Sequence, residues 1–427
     1  MLVPMPVRMP MRSWSRLCTR AELCLPSTLR NGQSFAWRVL PSGNFAAVLE
    51  GHIVALRHVG DAPDDFVEVC APMSVIPAVR AYLQLDKPLA PLVALWSKAD
   101  ARVAAVATAL PGMRVLRQDP WQCLVSFICS SNNNISRITS MLDRLCAAYG
   151  TFVGELEGVA FYSFPTPAAV AAVGEAPMRE LGFGYRARYV ARTAESVLHL
   201  GGEAYLHGLR GQPRDAVQTA LMTFDGCGRK VADCVALFSL DRPDAVPVDT
   251  HVWAIARCYY GAADDTAHSG GAAAATLTPA LYNRVGDIFR ELFGDHAGWA
   301  HCLLFAAELP AFSAALPSSL SAEMGSFRGK EKLEKAAARE AARARKTART
   351  KSTAGSGANS ECDVTESAVC SDGPTAKVIG TTVQGPHAVI AGSRNGGKRI
   401  AVLPPTAAVP TVETAAATRN KRRAKRA

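Results

Sequence analysis

The stretch AVQTALMTFDGCGRKVADCVALFSL, Ala216 to Leu240, holds two apolar-periodic runs separated by a turn in which two glycines stand one residue apart. Apolar residues at helical spacing on both sides predict a helix ending near Thr223, a tight turn, and a second helix beginning near Arg229. Gly226 and Gly228 allow backbone angles and close approach that a side chain would block, so free amides at the second helix's start can meet an anion. An ordinary helical hairpin is the plainer reading; Gly-x-Gly followed at once by a cation favours a phosphate. Lys230 is open to two readings of its own. It could clamp a phosphate, or it could be a nucleophilic amine, because a helix dipole's positive end and partial burial both disfavour the ammonium. Further on, AVPVDTHVWAIARCYY (Ala245–Tyr260) sets Asp249 after a proline turn and before an apolar-periodic helix. That position makes Asp249 an N-cap. A capping carboxylate near a reactive lysine can also move a proton or stabilise developing positive charge.

Upstream the period changes. From Gly32, SFAWRVL, PSGN, FAAVLE and GHIVALRH are short alternating runs cut by turn residues, which predicts an antiparallel meander. From Ser74 the period is helical, through SVIPAVRAYLQL and LAPLVALWSKADARVAAVATAL to about Leu309, and no strand signal of comparable quality returns. The Ala/Gly-rich stretch near Gly261–Thr276 reads as a surface loop. The class is therefore α+β, a small sheet region feeding a larger helical one.

Charge is unevenly placed. From Ser321 to the end there are 20 Lys and Arg against 9 Asp and Glu, leaving 27 against 28 in the preceding 320 residues. Polyanion binding by the body must then come from local charge and backbone amides, not from the net charge of +10. The 12 cysteines are dispersed, with no CxxC pair, no Cys/His zinc spacing and no late four-Cys cluster, which favours a reducing compartment with no metal and no cofactor. No stretch has the ~18 unbroken apolar residues of a membrane span. The start, MLVPMPVRMPMRSWSRLCTR, resembles a mitochondrial presequence in carrying four arginines and no acid, but three prolines spoil the amphipathic helix, and a disordered terminus is the alternative. Past Pro317 the composition cannot bury enough surface to fold, and the terminal RNKRRAKR (Arg419–Arg426) reads as a nuclear import or nucleic-acid-binding run.

GCGRKVADC and AVPVDTHVW, with NGQSFAWR (Asn31–Arg38), RQDPWQCLVSFICSSNNNISRIT (Arg117–Thr139) and LGFGYRARYV (Leu181–Val190), resemble the helix-hairpin-helix, Gly/Pro-rich, aspartate signature of base-excision DNA glycosylases. The match is specifically to the eukaryotic-type 8-oxoguanine DNA glycosylase family and spans about Leu25 to Leu309. It implies an antiparallel, TBP-like sheet domain over 23–115 and a helix-hairpin-helix glycosylase domain over 116–316. A disordered or targeting segment, 1–22, precedes them and a disordered basic tail, 317–427, follows.

The resemblance also implies roles. Lys230 becomes the Schiff-base nucleophile, able to break the strand by β-elimination, and Asp249 the catalytic aspartate. Gly32 offers the backbone carbonyl that accepts the extra N7 proton of 8-oxoguanine. Cys234 and Phe305 sandwich the flipped base. Asn132, Arg137 and Arg186 hold the widowed cytosine and Tyr185 wedges the stack. Gly226, Gly228, Val231 and His251 contact the DNA backbone. The implied partner is duplex DNA carrying 8-oxoguanine opposite cytosine, handled by a nuclear and monomeric enzyme with no membrane association. Extruding a base, filling the gap and reading its edge is what such chemistry requires, and Cys234, four residues after Lys230, shares its helical face.

Two departures stand out. Asp225 replaces the proline usual in the hairpin, and His301 replaces the glutamine that reads the pairing edge of the damaged base. With an ordinary pKa of ~6.5, His301 would weaken excision on the acid side. It also motivates an alternative lesion range, ring-opened purines. A non-catalytic DNA-binding hairpin protein, in which Lys230 only clamps phosphate, is the reading from a different class.

Overall fold

The computed structural model describes residues 13–262 and 277–327, with a few positions between 329 and 340. Most of the Ala/Gly-rich loop (263–276), the first twelve residues and the terminal basic run lie outside the described residues. All described residues belong to the unit Met1–Gly357.

Five antiparallel strands form the N-terminal sheet: β1 (Ser15–Thr19), β2 (Arg38–Val39), β3 (Phe45–Leu49), β4 (His52–Val59) and β5 (Phe66–Cys70), in the order β1-β5-β4-β3-β2. Successive side chains of a strand face opposite ways, and here both faces are buried. Phe45, Ala47, Val54 and Leu56 enter a core with Leu23, Leu25 and Tyr82. Ala46 and Ala55, with Ile53 and Val48, pack the other way against Phe161. Phe161 belongs to a hairpin, β6 (Phe152–Leu156) and β7 (Val159–Tyr162). Glu157 at φ 52 and Gly158 at φ 79 make its two-residue turn, the left-handed pair that matches strand twist. Arg38 Nη2 donates to Asp143 Oδ1 at 2.8 Å, an ion pair from the sheet to the helix Ile135–Tyr149.

Three expectations change. The segment 1–22 contains an ordered edge strand, because β1 satisfies its backbone against β5 and buries Leu17. The helical region contains strands, β6 and β7, because the sheet's second face needs cover. The folded body also runs past 316: residues 318–327 are helical, Leu320 and Met324 sit in the main core, and Arg102 pairs with Glu323 at 2.6 Å.

The helical body closes around the helix Arg229–Ser239, which packs between Pro120–Ile128 and Arg214–Leu221 and is buried from Val231 to Ser239. Several helices of the body start on side-chain caps: Asp119 accepts from the Gln122 amide, Asn134 from Arg137, Asp249 from His251 and Val252, and Thr278 from Leu281. Each cap contributes about 1 kcal/mol.

Candidate active site

The hairpin forms as its spacing predicts, between helices Arg214–Leu221 and Arg229–Ser239. Its two glycines do different work. Gly226 has φ +78, and a Cβ there would lie 2.8 Å from the Tyr189 ring, so the turn itself demands glycine. Gly228, the N-cap, has an ordinary extended backbone, and a Cβ there would meet nothing within 4 Å. Glycine at 228 leaves room outside the protein, in front of the first-turn amides of Arg229, Lys230 and Val231. Val231's side chain is buried in the core, so only its amide can face a ligand. The Asp225 carboxylate is matched by Arg192 at 3.4 Å, which offsets its charge beside the anion-facing amides.

Behind the hairpin lies a pocket whose lining includes Gly32, Lys230, Cys234, Asp249, His301 and Phe305. Asp249 Oδ1 accepts from the amides of His251 and Val252 at 2.9 and 3.0 Å; among the described residues no donor reaches Oδ2. The Lys230 ammonium lies 5.2 Å over the Phe127 ring, a cation–π contact. Burial pulls the Lys230 pKa down, but the Cys234 sulfur and the Asp249 carboxylate push further the other way, and the net displacement is upward. The direction is thus opposite to the depression expected from dipole and burial, and with Cys234 a neutral thiol the Asp249 carboxylate is the charged neighbour that favours the ammonium. Burial pushes the Cys234 thiol up to about 11, so it stays a neutral thiol at physiological pH.

His301 is 4 % exposed, and among the described residues neither ring nitrogen has a partner at full hydrogen-bond geometry, although the backbone of Gly298 lies close enough to favour its charged form. Burial lowers its pKa to about 4 against the opposing pull of Asp249, so the ring is neutral and acts with one donor and one acceptor nitrogen. This corrects the expected titration near 6.5. Its ring stacks on Phe305 at 6.3 Å and 26°, and His251 meets Phe305 edge-on at 6.1 Å. The His251 amide is held by Asp249, which leaves its exposed ring as the group free to approach DNA.

Gly32 has φ +86, and a Cβ there would come within 3.0 Å of Ile135, at the start of the helix that carries Arg137. The close approach joins the pocket to a second cluster. Asn132 (φ 48) is exposed, as is Arg137. Tyr185, 46 % exposed, donates from Oη to the Ser131 carbonyl at 3.0 Å. Arg186 is buried and its guanidinium donates to the carbonyls of Ser131 (3.1 Å from Nε) and Asn132 (3.0 Å). Tyr185 and Arg186 thus meet the Ser131–Asn132 loop, with Arg137 in the first turn of the helix that follows it, and Arg186 is already engaged within the protein.

Several pocket residues escaped the motif reading. Phe127, Phe238, Pro247 and Cys302 line it with Asn31 and Gln33. Gln33 also fixes the Gly32 loop: its buried amide donates to the Thr28 and Arg114 carbonyls at 2.8 Å and accepts from the Leu116 amide at 2.9 Å, while Gln118 donates to its own carbonyl at 2.6 Å. A buried, fully bonded amide is a precise anchor. Among the described residues no cluster of His, Cys, Asp and Glu could hold a metal ion.

Residues 16–124 match the family described as 8-oxoguanine DNA glycosylase, N-terminal domain, and residues 125–279 the HhH-GPD superfamily base excision DNA repair protein. The chain is 41% identical over 307 residues to the N-glycosylase/DNA lyase OGG1 of Arabidopsis thaliana, covering 70% of this chain and 81% of the relative. It is 34% identical over 327 residues to the N-glycosylase/DNA lyase of Saccharomyces cerevisiae, covering 68% and 84%. Among solved structures it is similar, with a TM-score of 0.57 and 27% identity over 67% of this chain and 91% of the other, to the Clostridium acetobutylicum 8-oxoguanine glycosylase/lyase in complex with duplex DNA containing cytosine opposite 8-oxoguanine.

Proposed function

The chain belongs to the N-glycosylase/DNA lyase family of helix-hairpin-helix base excision repair proteins, and we propose that it excises 8-oxoguanine opposite cytosine with Lys230 as nucleophile and Asp249 as its catalytic partner. It is a DNA glycosylase with lyase activity. The observation that carries the residue assignment is the single pocket that brings Lys230, Asp249, Cys234, His301, Phe305 and Gly32 together from distant parts of the chain.

In this reading the flipped nucleotide lies between Cys234 and Phe305, with the Gly32 carbonyl accepting the N7 proton that guanine lacks. The Lys230 amine, once deprotonated, attacks the anomeric carbon. The glycosidic bond breaks and its electron pair leaves with the purine. Loss of a second proton from nitrogen with sugar-ring opening gives the imine, and removal of a C2′ proton then expels the 3′ phosphate. The Asp249 carboxylate, whose charge favours the ammonium in the resting protein, is the acceptor assigned to the ammonium proton. Open space in front of Gly228 receives the DNA backbone, and Arg186 leaves the Ser131 and Asn132 carbonyls for the cytosine as Tyr185 enters the stack. The terminal basic run supports a nuclear address, and the enzyme acts as a monomer.

Borohydride capture tests the assignment. On duplex bearing 8-oxoguanine opposite cytosine, the parent enzyme is expected to form a covalent adduct and Lys230→Gln none, with lesion binding retained. Undiminished capture by Lys230→Gln removes the lysine from the mechanism. His301 favours a second reading, a range extended to ring-opened purines, since a neutral imidazole cannot present donor and acceptor side by side as a glutamine amide does. Equal excision ratios for the two lesions in the parent and His301→Gln enzymes would end it.

A further inference from the structure

Lys230, Cys234 and Asp249 each have a chain neighbour in one hydrogen-bonded network on the far side of the helix. Arg229 Nη1 donates to Gln218 Oε1 at 3.1 Å, and Gln218 Nε2 donates to Asp233 Oδ1 at 2.9 Å. Tyr282, on the helix Pro279–Phe293, donates from Oη to Asp233 Oδ2 at 2.6 Å and accepts on the same oxygen from the Val248 amide at 3.3 Å. Asp233 is 4 % exposed and Tyr282 6 %. Both oxygens of a buried carboxylate are thus bonded, and the phenol bridges the lysine helix to the backbone immediately before Asp249.

A structural explanation alone would ask only that the buried carboxylate be satisfied, and a second donor from within the same helix pair would do that. Instead the phenol comes from a third helix and spends its acceptor capacity on the segment Pro247–Val248–Asp249. We propose that Asp233 and Tyr282 are positioning residues, which set the separation between the Lys230 amine and the Asp249 carboxylate. Burial raises the Asp233 pKa against the pull of Tyr282 and Gln218. Neither residue touches the substrate pocket. Their effect passes through geometry, to which nucleophile and acid–base placement is steeply sensitive.

The inference rests on the Lys230 and Asp249 assignments, and a double-substitution cycle in the full chain tests it while keeping the two apart. Tyr282→Phe removes the bridge and keeps the ring. Expected is a fall of about 10-fold in the single-turnover rate of 8-oxoguanine excision, less than about 2-fold change in the Kd for lesion duplex, and an unchanged final yield of borohydride adduct, which shows the nucleophile intact. In an Asp249→Asn background the same substitution is expected to add less than about 2-fold, because effects that share one cause are not additive. A 10-fold fall in both backgrounds, or an unchanged rate in folded Tyr282→Phe, overturns the proposal. Asp233→Asn keeps one accepting oxygen for Tyr282 and removes the charge; it is expected to stay within about 3-fold of the parent rate. A fall of about 10-fold or more in folded Asp233→Asn would assign the effect to charge and also overturn it, and this arm is read whether or not Tyr282→Phe folds.

Discussion

In the pocket, His301 is buried and among the described residues neither ring nitrogen has a partner at full hydrogen-bond geometry; at the Ser131 loop, one carbonyl takes donors from both Tyr185 and Arg186. The two regions are joined by the contact of Gly32 with Ile135, yet they are prepared for DNA in opposite ways. The His301 ring carries its desolvation cost in the free protein and would gain hydrogen bonds when a base enters. Groups at the loop are satisfied beforehand and must exchange partners to reach the duplex. A lost buried bond costs about 1–3 kcal/mol, so substitutions in the pocket should change rates and pH responses, whereas substitutions in the loop should change selectivity.

The comparison breaks hardest at Asp249. Asp249→Asn keeps a capping oxygen, so the melting temperature should move little, while single-turnover excision should slow by about 10² or more, the usual scale for an acid–base group. A sharp stability loss with full activity in the folded fraction would reduce Asp249 to a cap.

His301 supplies the next largest effect, read as stability. Unfolded, the ring titrates near ~6.5; folded, burial holds it at about 4. Between those values the unfolded chain binds more protons, so this ring's contribution is complete above about pH 6.5 and is lost as pH falls toward 4. From pH 7 to 5 it should amount to about 2 kcal/mol. Burial also lowers His58 and His296, so the telling quantity is the difference between denaturation curves of the parent and His301→Gln. If both lose the same stability over this range, the ring is not held neutral.

At the loop, Arg186→Lys should leave excision opposite cytosine within about 10-fold of the parent but narrow the preference for cytosine over adenine by a similar factor, since a point charge replaces a planar fork. Unchanged preference would place cytosine reading elsewhere. The smallest contrast lies within the hairpin: Gly226→Ala should cost about 1–2 kcal/mol of stability, whereas Gly228→Ala should fold normally and weaken duplex binding only a few-fold. Equal stability losses would mean that both glycines serve the turn.

Strands β3 and β4 are legible because alternation, PSGN and a Glu-Gly turn agree over a short span. β1 is hidden by the arginines and prolines around SRLCT, and β6–β7 by flanking helices that make FVGELEGVAFY look like a connection. The extension through Leu320 and Met324 rests on two apolar residues four apart in a polar setting. At the site, spacing marks Lys230 and Asp249 as residues at helix starts, but leaves Lys230 open between phosphate clamp and nucleophile, and the family resemblance is what chooses. The direction of the Lys230 pKa is not legible, since it depends on which atoms other segments bring near. Gln33, Phe127 and Tyr282 are invisible for the same reason: each acts through a contact made far along the chain.

The double burial of the sheet sets an order for synthesis. β1 to β5 leave the ribosome together and can pair at once, but Ala46, Val48, Ile53 and Ala55 have nothing to rest on until the chain has grown past Tyr162. For that interval the nascent protein carries a finished sheet with one bare apolar face, the kind of surface that draws chaperones or aggregates. A chain cut between residues 124 and 125, where the two family matches meet, would stay in that condition permanently, so the boundary visible in sequence is no place to divide the protein.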